Sequence, residues 1–367
     1  MTLEEAKFAL DKVIKKGRVH LYKPIQVAEI LHRDRINGDI NLSELGTYRT
    51  RSRKWRDTLC ITFLGRTSTS SARYQDDLFN ENAVPPEAFV ALGEYNRMNN
   101  GVVEAYIYWK FSERFQQMTG ALDYVRGVNH FDFELPHFLE LFWNEPGLRR
   151  SIDKVFEIVV YALFSVLVEE LGVVINVRYN QDQKELLEEF EDFANRVIQI
   201  DTTRIESESP AKVYRVGVTN AADRGLDMWA NFGPAIQIKH LQLTERLAED
   251  IVGSVTAERI VIVCKDSEKS LAESIFNQIG WGTKVQSIIT EGDLINWYER
   301  ALRGRFSEVL GPKIIDVIGS EIIAEFPSSD QGEFEDFFNG RGYNELEDEI
   351  WNPSLGPSMA VDGDEEE

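Results

Sequence analysis

The sequence lacks most of what would mark a small-molecule enzyme, a secreted protein or a membrane protein. It has only two cysteines, Cys60 and Cys264, too few for a disulfide framework or a cysteine-based zinc site. Its five histidines, His20, His32, His130, His137 and His240, are scattered without metal-ligand spacing. No Gly-x-x-x-x-Gly-Lys-Ser/Thr loop, Gly-x-Gly-x-x-Gly, Gly-x-Ser-x-Gly or His-Glu-x-x-His occurs, and Gly280-Trp-Gly-Thr-Lys284 reads as a helix stop and turn. The longest apolar run, Ile158 to Val168, is too short to span a bilayer and suits a buried helix. The first residues carry no apolar signal segment, so the expectation is a cytoplasmic protein with no membrane partner.

What is present is a globular chain of 367 residues, 43% hydrophobic, with 7 Trp, 12 Tyr and 21 Phe to fill cores. The net charge of −22 argues against a nucleic-acid partner if it is spread evenly, but it is not. Residues 1–75 hold 15 Lys/Arg against 8 Asp/Glu, whereas 325–367 hold 14 acids and one base, Arg341. A basic front and an acidic, disordered tail are expected, with a break at Glu145-Pro-Gly147. The division is 1–145, mainly helical, then 146–326, then the tail 327–367.

From residue 151 the pattern is regular. Ser151 is placed to cap a helix to Leu171, closed by Gly172. Strands are expected at 173–179, 213–218, 226–230, 235–243, 259–264 and 284–289, with helices at 182–196, 244–254, 267–278 and 293–303. That order predicts an α/β fold on a mixed sheet.

One segment combines chemistry with geometry: Gly225-Leu-Asp-Met-Trp-Ala-Asn-Phe-Gly-Pro-Ala-Ile-Gln-Ile-Lys239. Alternate residues of a strand share a face, so Gln237 and Lys239 point one way and Ile236 and Ile238 the other. A turn near Phe232-Gly233 sets Asp227 opposite Gln237 or Ile238, with directly opposed Cβ atoms about 4.5–5.5 Å apart. A carboxylate, an amide and an ammonium at one sheet edge suit phosphodiester hydrolysis. Asp227 would anchor Mg²⁺, Gln237 would add a neutral oxygen ligand, and Lys239 would stabilise charge at the phosphate and prepare the attacking water. By chance alone, an Asp followed by Gln-x-Lys is common, and the order of surrounding elements is what lifts it above chance.

The segment resembles the PD-(D/E)xK nuclease motif, with Asp227 as first acid, Gln237 in the second acidic position and Lys239 as the lysine. Over most of its length the chain resembles type II restriction endonucleases of the HaeII-type family. The strings that carry this are Arg53-Lys-Trp-Arg-Asp57, residues 65–79 with Asn82-Ala-Val-Pro-Pro86, and Asn220 to Asn231 with Gln237-Ile-Lys239. The resemblance implies a restriction-endonuclease-like core with a mixed central sheet flanked by helices. It also implies Mg²⁺-dependent cleavage of double-stranded DNA at a short palindrome, RGCGCY for that family, by a homodimer. Leu226 stands where the motif has proline, and Gln237 replaces an acid. Glu157 on the long helix is the candidate compensating metal ligand, and Asp223 is a second.

For DNA contact the candidates are Arg49, Arg51, Arg53, Lys54 and Arg56, interleaved with Tyr48 and Trp55, together with Ser70 and Arg73 and the neighbouring Ser68, Thr69 and Ser71. A solvated basic loop accounts for the same run. Arg300, Arg303 and Arg305 extend the basic rim or compensate a helix dipole. Two rival readings share these residues: a non-catalytic DNA-binding or scaffold protein on the same fold, and a structure-selective or RNA-directed nuclease.

Overall fold

The computed structural model describes residues 1–351 apart from 18–19, 69, 145–147, 217–225, 241–242, 255–256, 266–283, 327–330 and 349. Asp223, Thr69, the break at 145–147, the helix expected at 267–278, residues 280–283 and the acidic end beyond 351 therefore lie outside the described residues. The chain divides into two compact units rather than at a single point near 145. One comprises Met1–Ala121, Phe142–Ser151 and Phe326–Glu367, the other Leu122–Leu141 and Ile152–Glu325. No helix among the described residues is long and apolar enough to cross a membrane.

In the first unit, α1 (Leu3–Lys16) opens on a capping box, in which Thr2 accepts from the Glu5 N–H and Glu5 from the Thr2 N–H. Its buried residues Ala6, Leu10, Val13 and Ile14 repeat at helical spacing and form one stripe. Around it stand α2 (Tyr22–Asn37), α3 (Arg51–Leu64), α4 (Pro86–Met98) and α5 (Val102–Gly127), the last contributing its residues up to Ala121. Pro86 begins α4, where a missing N–H costs nothing.

The acidic tail is a correction. Residues 331–340 form a helix, α11 (Gln331–Gly340), and Tyr343 and Trp351 are fully buried. The Phe337 ring packs 4.8 Å from Phe63 and 4.9 Å from Tyr108. Arg341 forks onto Glu29 at 2.7 and 3.1 Å, and Tyr343 donates its hydroxyl to Glu104. Aromatic burial outweighs the charge of this stretch, which becomes part of a core.

In the second unit, to which α6 (Leu135–Asn144) contributes its residues up to Leu141, α7 (Ile152–Glu170) buries most of its apolar run and ends at Gly172, whose φ of +59° only glycine adopts readily. Ser151 does not cap it. The Ser151 hydroxyl has no hydrogen-bond partner among the described residues and sits in a 3₁₀ turn. Strands β1 (Val174–Arg178) and β2 (Glu206–Pro210) pair antiparallel as a separate two-stranded sheet. The central sheet has the order β3 (Val213–Arg215), β4 (Met228–Ala230), β5 (Ala235–Lys239), β6 (Ile260–Cys264), β7 (Val285–Thr290). Strand β4 is antiparallel to both β3 and β5, and β5, β6 and β7 run parallel. Ile-Val-Ile-Val-Cys of β6 is buried throughout, as a parallel strand covered on both faces requires. Helix α8 (Glu245–Ser254) connects β5 to β6, and α9 (Glu291–Arg303) and α10 (Ser307–Glu325) follow β7.

Candidate active site

The β4–β5 hairpin positions the site. Gly233 has φ +125°, and a Cβ there would fall 2.1 Å from the Arg259 guanidinium, which instead donates to the Phe232 carbonyl at 2.8 Å. Glycine thus satisfies both a backbone conformation and a close approach. The turn fixes Met228 opposite Ile236 and Trp229 opposite Ala235, so one step further sets Asp227 opposite Gln237.

The side chains meet as that register demands. Gln237 donates Nε2 to Asp227 Oδ2 at 2.5 Å, and the Ile238 N–H donates to the same oxygen at 2.8 Å. Gln237 is 3% exposed, and its Oε1 has no hydrogen-bond partner among the described residues. A buried amide oxygen left without a donor costs on the order of 1–3 kcal/mol and leaves an acceptor open to a water or a cation. Lys239 lies on the same face of β5 and is half-buried.

Glu157, from α7, is 4% exposed. Lys154, one turn earlier, holds both its oxygens at 2.7 Å. Burial pushes the Glu157 carboxyl up to about 7; Lys154 opposes this and the negative charge of Asp227 adds to it. Asp227 is also raised, chiefly by burial, against the Ile238 N–H and the charges of Lys239 and Lys154. Two carboxyls that each resist ionising, with an orphaned amide oxygen beside one of them, form a site short of positive charge. All its donors are oxygen, the set that suits a hard divalent cation. No group of three His, Cys, Asp or Glu among the described residues is arranged to hold a metal. A cation here would therefore rest on Asp227, Glu157 and Gln237, completed by water or phosphate.

The sequence did not single out Lys154, although its spacing of three from Glu157 on a helix is a readable signal. Arg215 was missed too. It is clamped by Glu321 at 2.7 Å and Glu325 at 3.1 Å, and its charge acts on Glu157. Those partners are over a hundred residues away, so no local pattern reveals them. A cavity of about 560 Å³ lies on the other face of the sheet, where Ile236 points, and its lining of Phe164, Val168, Trp297 and Phe306 is apolar. Its polar lining residues, Gln286, Ser287 and Arg300, include no carboxylate, histidine or cysteine.

The basic residues of the first unit are sorted by burial. Arg51, Arg53, Lys54 and Arg56 lie on α3, not on a loop. Arg49 and Lys54 are exposed, as is Arg73. Arg49 and Arg53 both pair with Asp76, and Arg51 pairs with Asp39 at 2.7 Å. Ser70 is half-buried, its N–H directed at Ser68 Oγ at 3.4 Å. Arg56 departs from expectation. It is 1% exposed, donating to Gln26 at 2.9 Å, Gln75 at 3.2 Å and Asp57, so its guanidinium holds the fold together and faces no solvent. In the second unit, Arg303 donates to the Phe131 and Phe133 carbonyls and pairs with Glu299, again a structural role.

The family model of the HaeII restriction endonuclease matches residues 6–343. The chain is 60% identical over 346 residues to the type II restriction enzyme HaeII of Haemophilus aegyptius, covering 94% of this chain and 98% of that one. It is 54% identical over 347 residues to the type II restriction enzyme NgoBI of Neisseria gonorrhoeae, at the same coverage. Both spans take in the helix of Glu157 and the hairpin of Asp227, Gln237 and Lys239, and the chain belongs to the HaeII restriction endonuclease family.

Proposed function

We propose that this restriction endonuclease hydrolyses phosphodiester bonds of double-stranded DNA at a short palindrome, with Mg²⁺ as cofactor, on a PD-(D/E)xK core. RGCGCY is the first sequence to test. The observation that carries the assignment of the site is the pairing of Gln237 with Asp227, which leaves the Gln237 Oε1 buried and unpartnered. Asp227, Gln237 and Glu157 would hold the cation, which lowers the pKa of a bound water and neutralises charge on the phosphate. Asp227 has one oxygen, Oδ2, held by two donors, and that fixes its orientation. Lys154 keeps the second carboxylate, Glu157, in place. Lys239, two residues along the same strand face, sits where an ammonium can stabilise negative charge developing on the phosphoryl oxygens and orient the water. Gln237 in place of an acid gives one negative charge fewer, so Glu157 has to supply it.

Residues 1–145 would contribute DNA recognition through Arg49, Arg51, Arg53, Lys54, Ser70 and Arg73, with Arg56 supporting α3 from within. A palindromic substrate has two-fold symmetry, and a homodimer matches it. The test is digestion of a plasmid of known sequence with Mg²⁺, followed by mapping of the ends. Discrete fragments sharing one motif at every end, lost in both Asp227→Ala and Lys239→Ala, are expected. Binding without cleavage in any divalent metal would instead point to a scaffold, and ends without a common motif to a structure-selective nuclease.

A further inference from the structure

We infer that residues 171–210 form the surface on which a second copy of this chain docks, with β1 pairing against the β1 of its partner. This rests on the homodimeric reading above and adds the interface to it. Among the described residues, 25 large hydrophobic side chains are exposed, and ten of them fall between Leu171 and Ile205. Leu171 is 74% exposed and Val197 65%, with Val174, Phe190 and Phe193 each above 50%. Exposed apolar side chains gathered in this number within one segment are a feature of contact surfaces. The segment has little core of its own, only Leu187, Ala194 and Ile200 with Tyr179 against them. Its sheet has just two strands, and an isolated two-stranded sheet is marginal in water.

The chemistry selects the occupant. The segment carries nine acidic and four basic residues, so it is no DNA surface, and a second copy avoids the same repulsion only by meeting it along β1, where Arg178 is the one charged residue. Its two edges are unlike. Strand β2, Glu-Ser-Glu-Ser-Pro, has glutamates and a proline, the residues that block edge pairing. Strand β1, Val-Ile-Asn-Val-Arg, has none of them, and among the described residues it pairs only with β2. An edge strand meeting its own copy across a two-fold axis is antiparallel by symmetry, which makes such an edge self-complementary. With full overlap, Asn176 falls at the axis and Ile175 of each copy lies beside Val177 of the other. The need for a second copy is independent of this geometry. The chain has one Asp227–Gln237–Lys239 site, and cutting a duplex takes two scissions.

Light scattering on the full-length protein tests the assembly. The wild type should run at twice its 42.1 kDa mass, and Val174→Lys with Val177→Lys at the monomer mass with an unchanged circular dichroism spectrum. Phe8→Lys with Met98→Lys, exposed apolar residues of the first unit, should remain dimeric. Under mild oxidation Asn176→Cys should form a covalent dimer, since both native cysteines are buried, whereas Glu206→Cys on the other edge should not. On a plasmid that the wild type linearises, the lysine pair should release nicked circles. A monomeric wild type, a lysine pair that stays dimeric, or linking through Glu206→Cys in place of Asn176→Cys would overturn the docking surface. A dimer that links through Asn176→Cys but cuts no DNA in any divalent metal would sink the nuclease reading and leave the surface standing.

Discussion

Glu104 in the first unit and Glu157 in the second are both buried glutamates on helices, and they titrate in opposite directions. Burial alone would raise Glu104. Yet His32 Nδ1 lies 2.9 Å away, Arg35 forks onto it at 2.9 and 3.0 Å, and Asn96 and Tyr343 donate as well, so its carboxyl is held down at about 2. For Glu157 burial wins, pushing it up to about 7 with help from Asp227, against the paired Lys154 ammonium and the weaker influence of Arg215. The first cluster is saturated with donors and has no room for a ligand. The second is starved of them. A buried charge left short of partners burdens a fold, and a charged ligand relieves that burden. The contrast separates an acid that the fold itself satisfies from one that a charged ligand would satisfy.

The largest effect should come from the starved site. Lys239→Ala is expected to lower the cleavage rate by about a thousandfold, the scale on which one preformed electrostatic partner acts, while leaving the melting temperature close to that of the wild type. Single-turnover cleavage at saturating enzyme measures it. A loss smaller than tenfold would remove Lys239 from the chemistry. The mirror experiment is Glu104→Ala. It strips a buried cluster of its acid and leaves the Arg35 guanidinium without its partner, so a loss of about 3–5 kcal/mol in unfolding free energy is expected. Cleavage by the fraction still folded should be near normal.

Titration should pull the two glutamates apart. Glu104 is lowered from an ordinary 4.5, so the stability it contributes is complete above about 4.5 and lost as the pH falls towards 2. Glu157 is raised from the same value, so it costs nothing below about 4.5 and its full cost is reached above about 7. Glu157→Gln should therefore stabilise the metal-free protein by about 1–3 kcal/mol at pH 8 and have no such effect near pH 4.5. Urea melts at the two pH values decide this. A destabilised Glu157→Gln at pH 8 would mean that the Lys154 ion pair outweighs burial. The variant should also cleave poorly, since it removes a carboxylate proposed to hold the cation.

How far these features could be read from the sequence follows from how local their causes are. The hairpin was legible because alternation along 235–239 and the Asn231-Phe-Gly-Pro234 turn both act within a few residues, and they set the register that joins Asp227 to Gln237. Glu157 was reachable because an acid at the edge of an apolar helical run stands out. The pairing of β1 with β2 was not, because Glu-Ser-Glu-Ser-Pro has no strand signature and its partner lies beyond an intervening helical stretch. Nor was the packing of 331–351. Its acids dominate the composition, and Phe334, Phe337, Phe338, Tyr343 and Trp351 pack among rings more than two hundred residues earlier, from Phe63 to Phe111. Arg56 was misplaced for the same reason, since Gln26 and Gln75, which bury it, are far off in the chain.

Arg56 and Lys54 give the smallest and most selective test, because they are cationic residues two apart on one helix, one buried and one exposed. Lys54 is exposed, so Lys54→Ala should leave stability within about 0.5 kcal/mol of the wild type. Its effect should fall on DNA binding alone, lowering affinity a few-fold and the slope of log affinity against log salt by about 0.9, one phosphate contact. Arg56→Ala should do the reverse. It leaves Gln26 and Gln75 without their donor in a closed core, so the melting temperature falls. The salt slope of the protein that remains folded should be unchanged, because a buried guanidinium releases no counterions. Binding measured without metal across a salt series, beside thermal melts, resolves the pair. An unchanged slope for Lys54→Ala would move the DNA-facing surface off α3, and Arg49 and Arg73 would have to be tested in its place.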